Sequence, residues 1–176
     1  MTDAPANPFR IYLLRHAHSA WPAPGMRDFD RPLDERGRDE ATRLAAMMTL
    51  NGLVPERIVC SPAARCVQTL EILASEAGGS AEASYPADLY SATVRIYLDA
   101  IEAAARSGAA SVMIVGHNPT IEETARALLV RHEGAAEGVL GHGFPTAGLL
   151  IVDSSAARPA TEGHGQLVGL ISPVDA

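Results

Sequence analysis

The chain has 176 residues, 47% of them hydrophobic and only 5% aromatic, which fits one domain with an aliphatic, alanine-rich core and excludes any need for disulfide or metal staples. Its 21 acidic residues outnumber the 14 basic ones for a formal charge of −7, and no apolar run nears the roughly 18 residues of a membrane span, so neither nucleic acid nor membrane is an expected partner. Two cysteines, Cys60 and Cys66, cannot build a disulfide framework, and residues 1–8 lack the basic-then-apolar order of a secretory signal, so they read as a flexible tail on a protein of the reducing cytoplasm.

In chain order, the first apolar run is Arg10-Ile11-Tyr12-Leu13-Leu14, a buried strand that leaves Arg15 and His16 at its C-terminal end. A helix follows from the Asp34 N-cap to Leu50, with Ala41, Leu44, Ala45 and Met48 on one face and Asn51-Gly52 as its stop. Arg57-Ile58-Val59-Cys60 is a second strand. It feeds a second helix with Ser61 as N-cap and Pro62 at the first helical position, burying Cys66, Leu70, Leu73 and Ala77 before Gly78-Gly79. A third helical stretch runs from near Ser91 to Gly108 with Val94, Leu98, Ile101 and Ala105 in register.

Val112-Met113-Ile114-Val115-Gly116 is a third strand, ending in His117-Asn118-Pro119, and a fourth helix carries Ile121, Ala125, Leu128 and Leu129. After Gly134 the texture changes. Residues 148–152 and 167–171 read as strands with no helix between them and are expected to pair as a hairpin across the polar 154–166 loop. Strands alternating with helices predict an α/β fold with a wound sheet.

In such sheets ligands sit beyond the carboxyl ends of the strands, and three strand ends here deliver Arg15, His16, Arg65 and His117 to one edge. That set suits phosphoryl transfer, which asks for an in-line nucleophile and fixed positive charge on the equatorial oxygens. A guanidinium grips two phosphate oxygens at any working pH, and a neutral imidazole, with a reference pKa of about 6.5, attacks without first losing a proton. An arginine in a helix's first turn sits badly against the dipole, by roughly 0.3–1 kcal/mol, unless an anion lies between them.

Each piece alone has an ordinary explanation. An Arg-His pair after a strand is most often a surface coincidence, Ser-Pro an N-cap, and Gly-His-Asn-Pro a turn. Three strand ends converging with the same chemistry are harder to explain so. His18 could line the same pocket, though a solvated loop histidine fits equally well, and His132, His142 and His164 lie in loop-like, glycine-rich sequence that suggests exposure. No HExxH or CxxC spacing supports zinc. Cys60 and Arg65 are separated by four residues, not the five of a cysteine phosphatase loop.

These residues give the chain a resemblance to the histidine phosphatase superfamily, also called phosphoglycerate mutase-like. Leu14-Arg15-His16-Ala17 resembles its Arg-His-Gly signature with alanine for glycine, Ser61 to Thr69 its second-arginine segment, and Val115 to Pro119 its second-histidine segment. Asp30 to Gly37, the Phe144-Pro145-Thr146-Ala147 segment and the short length are similar to the small phosphohistidine phosphatase branch of the SixA type. The resemblance implies a three-layer sandwich, a mixed and mostly parallel sheet flanked by helices, and no metal or other cofactor. It implies that His16 is the nucleophile that becomes phosphorylated and that Arg15, Arg65 and His117 bind the phosphoryl group.

A matching general acid does not align in Ala87-Asp88-Leu89-Tyr90-Ser91, which leaves Asp28, Asp30 and Asp88 as weak candidates. Expelling an alkoxide without an acid is slow, whereas imidazole leaves a phosphohistidine readily near neutral pH, so the gap favours a P–N substrate. The expected substrate is a phosphorylated protein. A phosphorylated small metabolite, turned over by a broad phosphomonoesterase, and a noncatalytic phosphoryl-binding module are the alternatives.

Overall fold

The computed structural model describes residues 8–77, 81–154 and 163–173. Six strands, β1 (Phe9–Arg15), β2 (Arg57–Cys60), β3 (Glu82–Ser84), β4 (Ser111–Gly116), β5 (Leu149–Ser154) and β6 (Gln166–Ile171), form one sheet in the order β3-β2-β4-β1-β5-β6. β3, β2, β4 and β1 pair in parallel, and β5 pairs antiparallel with both β1 and β6, so the sheet is mixed and mostly parallel as the resemblance implied. Among the described residues five helices cover it: α1 (Glu35–Leu50), α2 (Ala64–Ala77), α3 (Val94–Arg106), α4 (Thr120–Leu128) and α5 (Glu133–Leu140).

The two-residue period of β1 divides the core. Ile11 and Leu13 point into one cluster with residues of α3, α4 and α5, including Tyr97, Ile101, Ile121 and Leu140. Tyr12 and Leu14 point into the other, with Leu44 and Ala45 of α1 and Cys66, Leu70 and Leu73 of α2. Helices on both faces explain why β4 is buried along its whole length, with no polar alternation. No helix of the described residues is long and apolar enough to cross a membrane.

The expected α1 is present to the residue, with Asp34 Oδ1 accepting from Gly37 N at 2.8 Å. Gly37 is required for a second reason: a Cβ there would enter the backbone carbonyl of His18, which lies over the first turn.

Three expectations change. α2 starts at Ala64 rather than at Ser61-Pro62, because Ser61 N still bonds Val115 O at 2.9 Å in the sheet ladder and Ala63 O accepts the first helical amides. β3 is a three-residue, fully exposed edge strand, too short to carry a pattern. α5 forms despite Gly134 and Gly138 because Ala136 and Leu140 pack into the core. In α3 the buried face is Tyr97, Leu98, Ile101 and Ala104, with Val94 and Ala105 half-buried against it. Residues 1–7 of the expected 1–8 tail, the Gly78-Gly79 stop, the Ala77 side chain and most of the hairpin loop (155–162) lie outside the described residues.

Candidate active site

Sheet register sets the site before any side chain does. Arg15 pairs with Gly116 and Cys60 with Val115, and the ladder continues one step through His16 N to Gly116 O (3.1 Å) and Ser61 N to Val115 O (2.9 Å). His16, Ser61 and His117 therefore leave three neighbouring strands at one level. Thr69 Oγ1 staples the first of these ends to α2, accepting from Ala17 N at 3.1 Å and donating to Arg65 O at 2.7 Å.

The four expected side chains come together. Arg65 Nε donates to His16 Nε2 at 3.3 Å, and Arg65 Nη2 lies 3.2 Å from His117 Nδ1. The two imidazole centroids are 5.3 Å apart. Arg15 Nη1 donates to Phe144 O at 2.6 Å, while its buried Nε has no partner among the described residues. A buried guanidinium donor without a partner is uncommon. The loop after α5 closes the back of the site, where Ala147, at φ 51°, donates its N–H to His16 O at 3.2 Å. Left-handed backbone at a non-glycine residue costs on the order of 1–2 kcal/mol and persists where the surroundings fix it.

The hydrogen bonds assign the tautomers, because a guanidinium only donates. His16 Nδ1 carries its proton toward Ala17 O at 2.7 Å and Nε2 keeps the lone pair. His117 Nδ1 is likewise unprotonated, and its Nε2 donates to Ser61 Oγ at 2.7 Å. Tyr97 Oη, accepting from His117 N at 3.2 Å, holds the backbone behind that ring.

Burial, with the neighbouring cations adding to it, pushes His16 down to about 3 and His117 down to about 4. Unfolded histidine takes up a proton near about 6.5, so between about pH 6.5 and 4 the unfolded chain binds more protons than the folded one. Stability is accordingly full above about pH 6.5 and falls as the pH drops toward the folded values. Urea midpoints at about pH 7 and 5 are expected to show that fall, and His117→Asn to lessen it.

The remaining candidates separate. His18 lines the cavity, but its Nδ1 engages Asp34 Oδ2 at 2.6 Å rather than the phosphoryl set. Asp28 sits in the site: Arg65 Nη1 donates to its backbone O at 2.7 Å, and Arg65 Nη2 to its Oδ2 at 3.0 Å. A hydrogen bond from Tyr90, with those from Arg31 and Arg65, holds the Asp28 carboxyl down at about 2, so it is ionised and unsuited to act as a neutral acid.

Asp30 pairs with Arg27 on the surface. Asp88 is exposed on the Ala87–Leu89 turn, which aims Leu89 into the core and leaves Asp88 on a separate groove beside Arg57 and Asp99. His142 is exposed as expected, His164 is half-buried rather than exposed, and the side chain of His132 lies outside the described residues. Both cysteines are free and buried, and burial pushes the Cys66 thiol up to about 12, so a thiolate nucleophile is not on offer beside His117.

Sequence reasoning missed Tyr90, whose ring meets His117 edge-on at 5.7 Å, and the role of Ser61, read as a cap but spent on His117. The open cavity of about 630 Å³ is also lined by Trp21, 91% exposed at its rim.

The sequence profile of the histidine phosphatase superfamily, branch 1, matches residues 11–90. A crystal structure of an Agrobacterium tumefaciens protein bearing the provisional name phosphohistidine phosphatase SixA superposes with a TM-score of 0.83 at 39% identity, over 96% of this chain and 100% of that one. The protein histidine phosphatase SixA complexed with tungstate shares the fold, with a TM-score of 0.76 at 24% identity over 94% of this chain and 98% of that one. An uncharacterized Mycobacterium tuberculosis protein is 31% identical over 91% of this chain and 99% of its own length. An uncharacterized chloroplastic protein of Arabidopsis thaliana is 32% identical over 68% of this chain, which spans 58% of that relative's length. The chain thus belongs to the histidine phosphatase superfamily, as a phosphatase of its SixA-type branch.

Proposed function

We propose that this phosphatase hydrolyses phosphohistidine on proteins through a phosphorylated His16. The observation that carries the reading is His16 Nε2, which among the described residues bonds only Arg65 Nε and lies in a cavity edged by two arginines and a second imidazole. Attack forms the P–Nε2 bond while the leaving group departs with its electron pair. The bond from His16 Nδ1 to Ala17 O fixes the ring and steadies its positive charge in the phosphoryl-enzyme. Arg15 and Arg65 neutralise the equatorial oxygens. His117 Nδ1 accepts from Arg65, and a bound dianion beside Nδ1 draws a proton onto that atom, so that the ring becomes a donor to the phosphoryl group. Water then cleaves the P–Nε2 bond.

Two observations support a P–N substrate on a protein. The one carboxylate in the pocket is ionised and has no proton to give an alkoxide. The cavity is wide, with an exposed tryptophan at its rim. The free cysteines suit a reducing compartment such as the cytoplasm. Side-by-side kinetics on a phosphohistidine-bearing protein and a panel of sugar phosphates test the reading. We expect kcat/KM to favour the protein by at least about tenfold, near 1.4 kcal/mol. The opposite order would make the chain a small-molecule phosphomonoesterase, and binding without turnover would make it a module that only holds phosphoryl groups.

A further inference from the structure

Asp28 remains without a role in this mechanism, although four hydrogen bonds from neighbouring side chains end on it. Arg31 Nη1 donates to Oδ1 at 2.7 Å, Tyr90 Oη to Oδ2 at 2.8 Å, and Arg65 to both Oδ2 and the backbone oxygen. Each carboxylate oxygen accepts two hydrogen bonds, so Oδ2 is saturated and Oδ1 keeps one site free. The side chain is 52% exposed and lines the same cavity as His16. Arg65 also fixes the relative placement: its Nε end meets His16 Nε2, and its Nη end meets Asp28. A phosphoryl group lying along that guanidinium would have the attacking nitrogen toward one end and the carboxylate toward the other.

We propose that Asp28 is a further catalytic residue for P–N cleavage, its Oδ1 accepting the N–H of the substrate's imidazole on the ring nitrogen that does not carry phosphorus. The inference rests on the phosphohistidine reading above. In the transfer, the P–N bond to the substrate breaks with its electron pair returning to that nitrogen, and the P–Nε2 bond to His16 forms. The proton on the substrate's other nitrogen stays where it is, against Asp28, so a neutral imidazole leaves and His16 takes up the positive charge.

The enzyme's own ring carries the same arrangement. His16 Nδ1–H rests on Ala17 O at 2.7 Å while Nε2 faces phosphorus. Phosphoryl transfer then runs between two imidazoles, each with its far N–H held by an oxygen. A charged acceptor suits the substrate side, since a charge-assisted bond is roughly twice as strong as a neutral one and retains the ring proton above neutral pH. The groups facing Asp28 are Arg31 from its own turn, Arg65 from α2, Tyr90 beyond the Ala87–Leu89 turn, and the His117 ring at the end of β4.

The test compares wild type, Asp28→Asn and His16→Ala on phosphoimidazole and on para-nitrophenyl phosphate, whose phenolate leaves without protonation. Asp28→Asn is expected to lower the phosphoimidazole-to-nitrophenyl ratio of kcat/KM by at least about tenfold. It is also expected to move the alkaline limb of single-turnover transfer from phosphoimidazole about one pH unit lower, because that limb reports the bound ring's proton. Equal losses on both substrates would reduce Asp28 to a positioning residue for Arg65 and overturn the proposal, as would no loss at all. Should wild type form phospho-His16 from the nitrophenyl ester but not from phosphoimidazole, the phosphohistidine reading itself fails. A wild type that uses both substrates while the Asn variant keeps their ratio leaves that reading standing and removes only the role of Asp28.

Discussion

His16→Ala is expected to lower kcat/KM for every phosphorylated substrate by at least about 10³-fold and to abolish the acid-labile, base-stable phosphoryl group that an alkaline denaturing quench should trap on the wild type. The size follows from what the ring alone supplies. Its Nε2 is the one unprotonated nitrogen that faces the cavity while its opposite nitrogen is held by a backbone oxygen. His117 cannot take over, because a bound dianion draws a proton onto its Nδ1 while its Nε2 already donates to Ser61 Oγ. Direct attack by water would remain, with binding and charge neutralisation intact, and would be slow. A variant retaining a tenth of the activity would exclude a covalent route through this residue.

Arg65→Ala is the second large effect, with an expected loss of about 10²–10³ in kcat/KM and a matching weakening of inhibition by inorganic phosphate. Four contacts end on this guanidinium: His16 Nε2, His117 Nδ1, Asp28 O and Asp28 Oδ2. Removing it costs the phosphoryl clamp, frees the turn at Asp28–Asp30 and leaves both imidazoles without a common partner. Arg65→Lys is expected to recover little, because one ammonium cannot donate along three directions in a plane. Product-inhibition constants separate the two contributions: a loss in kcat with phosphate affinity preserved would mean that Arg65 only orients its neighbours.

Much of this was legible in the sequence, for identifiable reasons. β1 and β4 are continuous apolar runs ending in Arg15-His16 and Gly116-His117, and buried parallel strands write themselves that way. Asp34, Gly37 and Asn51 mark the ends of α1 through backbone hydrogen bonds that need no tertiary partner. The misreadings occur where tertiary structure overrides a local signal. Ser61 looks like a cap, yet the sheet ladder holds its backbone and His117 takes its hydroxyl. Tyr90 and Asp28 lie 62 positions apart in sequence and meet only through the tertiary placement of two short turns. β3 and α5 are too short, or too rich in glycine, to display a period.

The register at the rim has a wider consequence. His16, Ser61 and His117 are spaced by the width of adjacent strands, not by the lengths of the segments joining them, so the reactive geometry is insulated from whatever is spliced between. Natural variation and protein engineers can lengthen the exposed 21–26 stretch ahead of Asp28, adding a canopy that selects small guests or leaving a bare platform for large ones, without moving those three strand ends.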